Sequence, residues 1–229
     1  MKIAFVGDSL TEGIPGTGYF DVLKQKLKGY ELINYGKGGD SVVSLLKRIK
    51  GIRFAGDIDI IVLEVGVNDI LVNVSKSYPL IRTLLRQPWS GDKREFANCY
   101  REILSYLSGK ARSLIAIPPL FSGEDLENIW NKELFILSDI IERIVLEYNG
   151  VTFLDVRKIF IERLRNISAP GYIAKSAFAV ISDALFLRSP ESVDKKSAKR
   201  GLHYTLDGVH LNGVGAEILA DALIKEIEC

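Results

Sequence analysis

Ile58-Asp-Ile-Ile-Val-Leu-Glu-Val65, followed at once by Gly66-Val67-Asn68-Asp69, is the stretch that decides the fold. It is apolar on both faces, which is the pattern of a parallel strand buried by helices on each side. Working outward, short Ile- and Val-rich runs recur at residues 2–6, 31–34, 114–117 and 151–156. Helical patterns lie between them. Residues 41–50 carry Val42, Leu45, Leu46 and Ile49 at i, i+3, i+4 and i+7, with Asp40 or Ser41 as N-cap and Gly51 as stop. Further helices are predicted over 20–28, 93–107, 126–148 and 214–227. Strand–helix alternation of this kind predicts an α/β protein, because crossovers between parallel strands must return over a face of the sheet.

A chain of 229 residues is long enough for one well-buried core, and a single domain over 1–229 is the expectation. Hydrophobic residues make up 47% and the mean hydropathy is +0.13, which fits a packed globule rather than a disordered chain. The net charge of +1 is spread evenly and provides no track for nucleic acid. The one basic cluster, residues 195–200, reads as a solvated loop. Two cysteines, Cys99 and Cys229, have no CxxC spacing, and Cys99 is expected to be buried on a helix face. The N-terminal run is too short for a signal peptide, and no stretch matches a membrane span, so a cytoplasmic protein without a membrane segment is expected.

Four polar, glycine-containing patches stand where hydrophobic segments end. They are Gly7-Asp8-Ser9-Leu10, Asn34-Tyr35-Gly36-Lys37-Gly38-Gly39, Gly66-Val67-Asn68-Asp69 and Asp207-Gly208-Val209-His210. The first three directly follow the first three strands, and open parallel sheets bind ligands beyond the carboxyl ends of their strands. A turn at Gly7 would present the Ser9 hydroxyl outward. Taken alone, this patch reads more readily as a capped turn than as a nucleophile, and a phosphate-binding loop is a further reading for which it is short of glycine and hydroxyls. Asp207 lies three residues before His210, one of only two histidines, so its carboxylate can fix the imidazole tautomer and leave Nε2 free to take a proton. His203 lacks such a partner and reads as peripheral. Two histidines also argue against a metal site. Gly39 and Asn68 are candidate donors to an oxyanion, while Asn34 and Asp69 are read as holding their own loops. Glu64 is out of place in an apolar strand and must be hydrogen-bonded, with loop backbone the expected partner.

Together the patches resemble the four blocks of the SGNH hydrolases, the GDSL esterase and lipase family. Gly-Asp-Ser-Leu-Thr-Glu-Gly around Ser9 matches the first block, and Asn34-x-Gly36-x-x-Gly39-Asp40 the second. Gly66-x-Asn68-Asp69 matches the third, and Asp207-x-x-His210 the last. The resemblance spans residues 1–215. It implies a flavodoxin-like α/β/α sandwich of three layers, with a five-stranded parallel sheet in the order 2-1-3-4-5. It further implies a catalytic triad of Ser9, His210 and Asp207, an oxyanion hole formed by Ser9, Gly39 and Asn68, and no required cofactor. The implied substrate is a small-molecule carboxylic ester, cleaved through an acyl-enzyme by a lipolytic-type or simple alkyl esterase. A carbohydrate O-acetyl esterase is the alternative, and a flavodoxin-like binding module the remote one.

Two segments depart from ordinary connection lengths, 70–92 and 165–205. A helix is predicted inside the second, over 173–187. Both segments could wall a pocket above the sheet or simply cover core, and the subclass within the family does not carry over through them.

Overall fold

The computed structural model describes residues 1–165, 167–168, 170–187 and 189–229. Five strands form one sheet: β1 (Lys2–Gly7), β2 (Glu31–Gly36), β3 (Ile58–Glu64), β4 (Ala111–Ile117) and β5 (Val151–Phe153). Every pairing is parallel and the order is β2-β1-β3-β4-β5, as the resemblance implied. The helices are α1 (Ser9–Glu12), α2 (Tyr19–Lys26), α3 (Val42–Ile49), α4 (Val67–Leu71), α5 (Ser77–Leu84), α6 (Lys93–Ser108), α7 (Ile129–Val145), α8 (Val156–Leu164), α9 (Ala177–Phe186), α10 (Pro190–Lys199) and α11 (Gly213–Ile227).

The strands' side-chain alternation divides the interior into two cores. Ala4, Val6, Ile61 and Leu63 point to one face, where α3, α6 and α7 contribute residues such as Leu45, Tyr100 and Ile141. Ile3, Phe5 and Val62 point to the other, against Leu23 of α2, Phe160 of α8 and Leu219 of α11. The result is a three-layer α/β/α sandwich. Neither α5 nor α9 contributes a residue to either core.

The structure corrects several local expectations. The fifth strand stops at Phe153, because the Asp155 side chain caps α8 by accepting from Lys158 N at 3.1 Å. Val156, Phe160 and Leu164 then pack inward at i, i+4 and i+8. The basic cluster is mostly helix rather than loop: Ser189 and Ser192 form a reciprocal capping box, Pro190 occupies the first turn, and Val193 and Ser197 are buried. Cys99 is only half-buried on α6. The helix predicted over 173–187 begins later, at Ala177. The 70–92 segment contains α5, which starts just before Pro79.

Candidate active site

The carboxyl ends of β1, β2 and β3 deliver three of the four patches to one place. Ser9 is the first residue of α1, and Asp8 caps that helix, its Oδ1 accepting from Leu10 N at 3.0 Å. The turn is tight: a Cβ on Gly7 would stand 2.5 Å from the Glu64 carbonyl oxygen, so only glycine fits against β3 there. From the other end of the chain, a short loop closed by Leu206 N→His210 O (2.7 Å) presents the fourth patch.

Ser9 Oγ and His210 Nε2 are 2.9 Å apart. His210 Nδ1 and Asp207 Oδ2 are 2.8 Å apart, and Asp207 Oδ1 accepts the backbone N–H of Val209 and His210 at 3.0 and 2.9 Å. All three side chains are buried. Burial opposes ionisation of both Asp207 and His210. Their mutual charge and hydrogen bonds outweigh it, holding the Asp207 carboxyl below its ordinary range and the His210 imidazole above its own. The arrangement can move a proton from a hydroxyl to an imidazole steadied by a carboxylate.

Gly39 adopts φ +77°, a left-handed conformation natural to glycine, and its N–H has no acceptor among the described residues. Arg82, which no sequence pattern singles out, is buried and donates to the Gly39 carbonyl at 2.7 Å and to that of Pro88 at 3.0 Å. It therefore fixes the plane of the peptide that follows Gly39. Asn68 reaches the same place, but its amide is not idle. Nδ2 donates to Asp8 Oδ2 at 3.1 Å and to Asp40 O at 3.0 Å, so a third acceptor would have to share those hydrogens.

Asn34 accepts from Gly36 N at 2.7 Å within its own loop, as expected, and also donates to Thr11 O of α1 at 2.7 Å. Asp69 does not act locally. It accepts from Val42 N at 2.9 Å, and from Ser90 N and Oγ at 3.0 and 2.7 Å, tying α3 to the end of the 70–92 segment. Glu64 also departs from expectation. It is fully buried, and neither oxygen meets a donor among the described residues. Its neighbour is the Asp8 carboxyl rather than loop backbone, and two carboxylates offer each other only acceptors until one takes a proton. Burial, reinforced by Asp8, pushes Glu64 well above its usual range, and burial raises Asp8 to about 6. At neutral pH a protonated Glu64 donating to the Asp8 carboxylate resolves the conflict.

Glu124 was not anticipated. Its buried carboxylate accepts from the backbone N–H of His203, Tyr204 and Thr205 and from Thr205 Oγ1, at 2.7 to 2.8 Å. The Ser122-Gly123-Glu124-Asp125 run after β4 has the same polar, glycine-containing character as the four patches, so the signal was there. His203 also accepts from Asn212 Nδ2 at 3.0 Å through its carbonyl, and it lies outside the Ser9–His210–Asp207 relay. No group of three or more His, Cys, Asp or Glu suited to a metal ion exists among the described residues.

A cavity of about 210 Å³ opens beside Ser9 and His210. Both long segments wall it. Tyr78, Ile81, Arg82 and Leu85 come from the first, and Ala177, Val180, Ile181 and Ala184 from α9 in the second, each set at i, i+3, i+4 and i+7. Leu71, Val209, Ile14 and Pro15 complete an apolar lining. Tyr78 Oη donates to Ala174 O at 2.7 Å and Ala177 N to Ser77 Oγ at 3.1 Å, joining the two walls.

The GDSL-like lipase/acylhydrolase family matches residues 5–218, and the chain belongs to that family. It is a carboxylic ester hydrolase of the SGNH type. No curated protein sequence matches it. Among solved structures it resembles LAE5, an alpha/beta hydrolase enzyme from the metagenome of Lake Arreo, Spain, with a TM-score of 0.68 at 19% identity, over 100% of this chain and 95% of that one. Axe2, an acetylxylan esterase from Geobacillus stearothermophilus, gives 0.68 at 19% identity over 99% and 93%. The acetyl xylan esterase AlAXEase gives 0.66 at 22% identity over 99% and 100%. At such identities the likeness concerns the fold. No helix among the described residues is long and apolar enough to cross a membrane.

Proposed function

We propose that the protein is a lipolytic-type serine esterase acting on esters with acyl chains longer than acetyl. The observation that carries the chemistry is the continuous relay from Ser9 Oγ to His210 Nε2 at 2.9 Å and from His210 Nδ1 to Asp207 at 2.8 Å. Ser9 Oγ attacks the ester carbonyl while His210 accepts its proton, and Asp207 stabilises the imidazolium. The negative charge on the carbonyl oxygen is received by the N–H groups of Gly39 and Ser9 and by the Asn68 amide, shared with its present acceptors. The C–O bond to the alcohol breaks as His210 returns the proton to the leaving oxygen. Water, deprotonated by His210, then cleaves the acyl-enzyme and restores Ser9.

The apolar wall formed by Leu71, Ile81, Leu85, Val180 and Ile181 supports an acyl chain as its occupant. A second reading, a carbohydrate O-acetyl esterase, is supported by the acetylxylan esterases among the structural relatives. Initial rates on p-nitrophenyl esters from acetyl to palmitoyl separate the two. A maximum at medium or long chains is expected, and a maximum at acetyl favours the sugar-ester reading.

A further inference from the structure

The two helices that wall the cavity are apolar on more than one side. Their inward stripes line the site, yet Leu80 and Leu84 of α5 are 65% and 79% exposed, and Phe178 and Phe186 of α9 are 62% and 78% exposed. Leu80 and Leu84 stand four apart and share a face. None of these four side chains lines the cavity or joins a core. A helix apolar all round is ordinarily buried, and a cluster of exposed large apolar side chains marks a surface that meets something apolar.

The same two helices reach the mouth of the active site. Leu85 and Ile181, with Ile14, line the cavity and are also exposed, so apolar side chains stand both in the site and at its rim. Exposed charge within the two segments has one sign. Residues 70–91 contain no Asp or Glu, and residues 170–187 contain only Asp183, which is buried and paired with Arg200 at 2.7 Å. Lys76, Arg86 and Lys175 are exposed at the ends of these helices, and no ion pair engages them among the described residues. Apolar side chains flanked by unpaired cations, with no exposed carboxylate in either segment, are complementary to an anionic bilayer surface.

We infer that α5 and α9 form a docking face for anionic lipid membranes, which brings the mouth of the site against the bilayer so that a lipid acyl ester can enter without crossing water. The inference deepens the esterase reading, but the binding itself requires no turnover. Leu80, Leu84, Phe178 and Phe186 enter the interface, and Lys76, Arg86 and Lys175 sit at the headgroups.

Co-sedimentation with vesicles tests this, using phosphatidylcholine alone and phosphatidylcholine mixed with phosphatidylglycerol. The proteins compared are wild type, Ser9→Ala and Leu84→Ser/Phe178→Ser, with hydrolysis of soluble p-nitrophenyl butyrate measured in parallel. Wild type and Ser9→Ala should bind the mixed vesicles equally, bind phosphatidylcholine less, and release in high salt. The double variant should bind about tenfold more weakly while hydrolysing the soluble ester normally, because the lost side chains are exposed in the free protein. Absence of binding to either vesicle, or binding indifferent to the double substitution, overturns the docking face. So does a dimer, seen by light scattering, that the double substitution dissolves, since a second copy would then be the occupant. Loss of soluble-ester hydrolysis by wild type would instead count against the esterase reading, whatever the vesicles show.

Discussion

Glu124 and Thr205, 81 residues apart in the chain, are joined twice: one carboxylate oxygen accepts both the backbone N–H and the hydroxyl of Thr205, each at 2.8 Å. With His203 N and Tyr204 N on the same carboxylate, Glu124 sets the position of the strand-like segment two residues before Asp207. The sheet supplies Ser9, and this carboxylate supplies the platform for its partners.

Replacing Glu124 with Ala would leave four donors without this acceptor, three of them buried, and should cost about 3–5 kcal/mol of stability. Glu124→Gln keeps one acceptor oxygen but turns an NH₂ toward donors, so it should also lower the urea midpoint. Well below that midpoint, kcat should fall as well, because His210 shifts relative to Ser9. Unchanged kcat in a stably folded Gln variant would show that the clamp does not position the relay.

The Asp8–Glu64 pair makes stability depend on pH in a stated direction. Asp8 is raised from 3.8 to about 6 and Glu64 lies well above 4.5, burial being the first cause in both. A raised folded-state value contributes stability that is fully present below the unfolded value and lost as pH rises through the folded one. For Asp8 this amounts to about 3 kcal/mol, lost between roughly pH 4 and 6. Glu64→Gln supplies a permanent N–H donor to Asp8, so the variant should gain on wild type as pH rises through that window. Urea unfolding at several pH values reads this, and a constant difference at all pH would refute the shared proton.

Catalysis should have its own pH limb. On the proposed mechanism His210 must be neutral to accept the Ser9 proton, and it is held above 6.5 because the charge and hydrogen bond of Asp207 outweigh burial. The kcat/KM should therefore rise with pH and level off above 6.5. In Asp207→Asn the limb should move to lower pH, and kcat should drop by about 10⁴ on the serine-protease precedent. A profile unmoved by that substitution would separate Asp207 from the base.

Asn68→Ala should lower kcat by about 10²–10³ with little change in KM, the signature of a donor used mainly in the transition state. Because Asn68 also donates to Asp8 and Asp40, the Ala variant should lose some stability too. A larger effect on KM than on kcat would argue that Asn68 holds the loops and not the developing charge.

Much of this was legible in the sequence. Glycine-containing patches at strand ends are local features, so Ser9, Gly39, Asn68 and the Asp207–His210 pair stand out as candidates together, while their roles come from the resemblance of the four blocks to a family. The two buried faces of β3 likewise pointed to a parallel sheet. What escaped depended on tertiary contacts. Arg82 reads as an ordinary helix cation until Gly39 and Pro88 are seen to receive its hydrogens. Glu64 was recognised as out of place, but its partner Asp8 lies across the β1–β3 pairing, where Gly7 is in register with Glu64. The α10 helix was hidden because Lys and Ser dominate its surface, while only Val193 and Ser197 are buried. In sequence, Asp155 and Val156 continue the strand pattern because a β-branched residue suits both states, and the cap decides.

The most direct measurement is the pre-steady-state reaction with p-nitrophenyl butyrate, followed by mass analysis of acid-quenched protein. The account predicts a burst of about one p-nitrophenol per chain, an acyl adduct on the peptide containing Ser9, and loss of both in Ser9→Ala. A burst that survives Ser9→Ala, or an adduct on any other peptide, would contradict it.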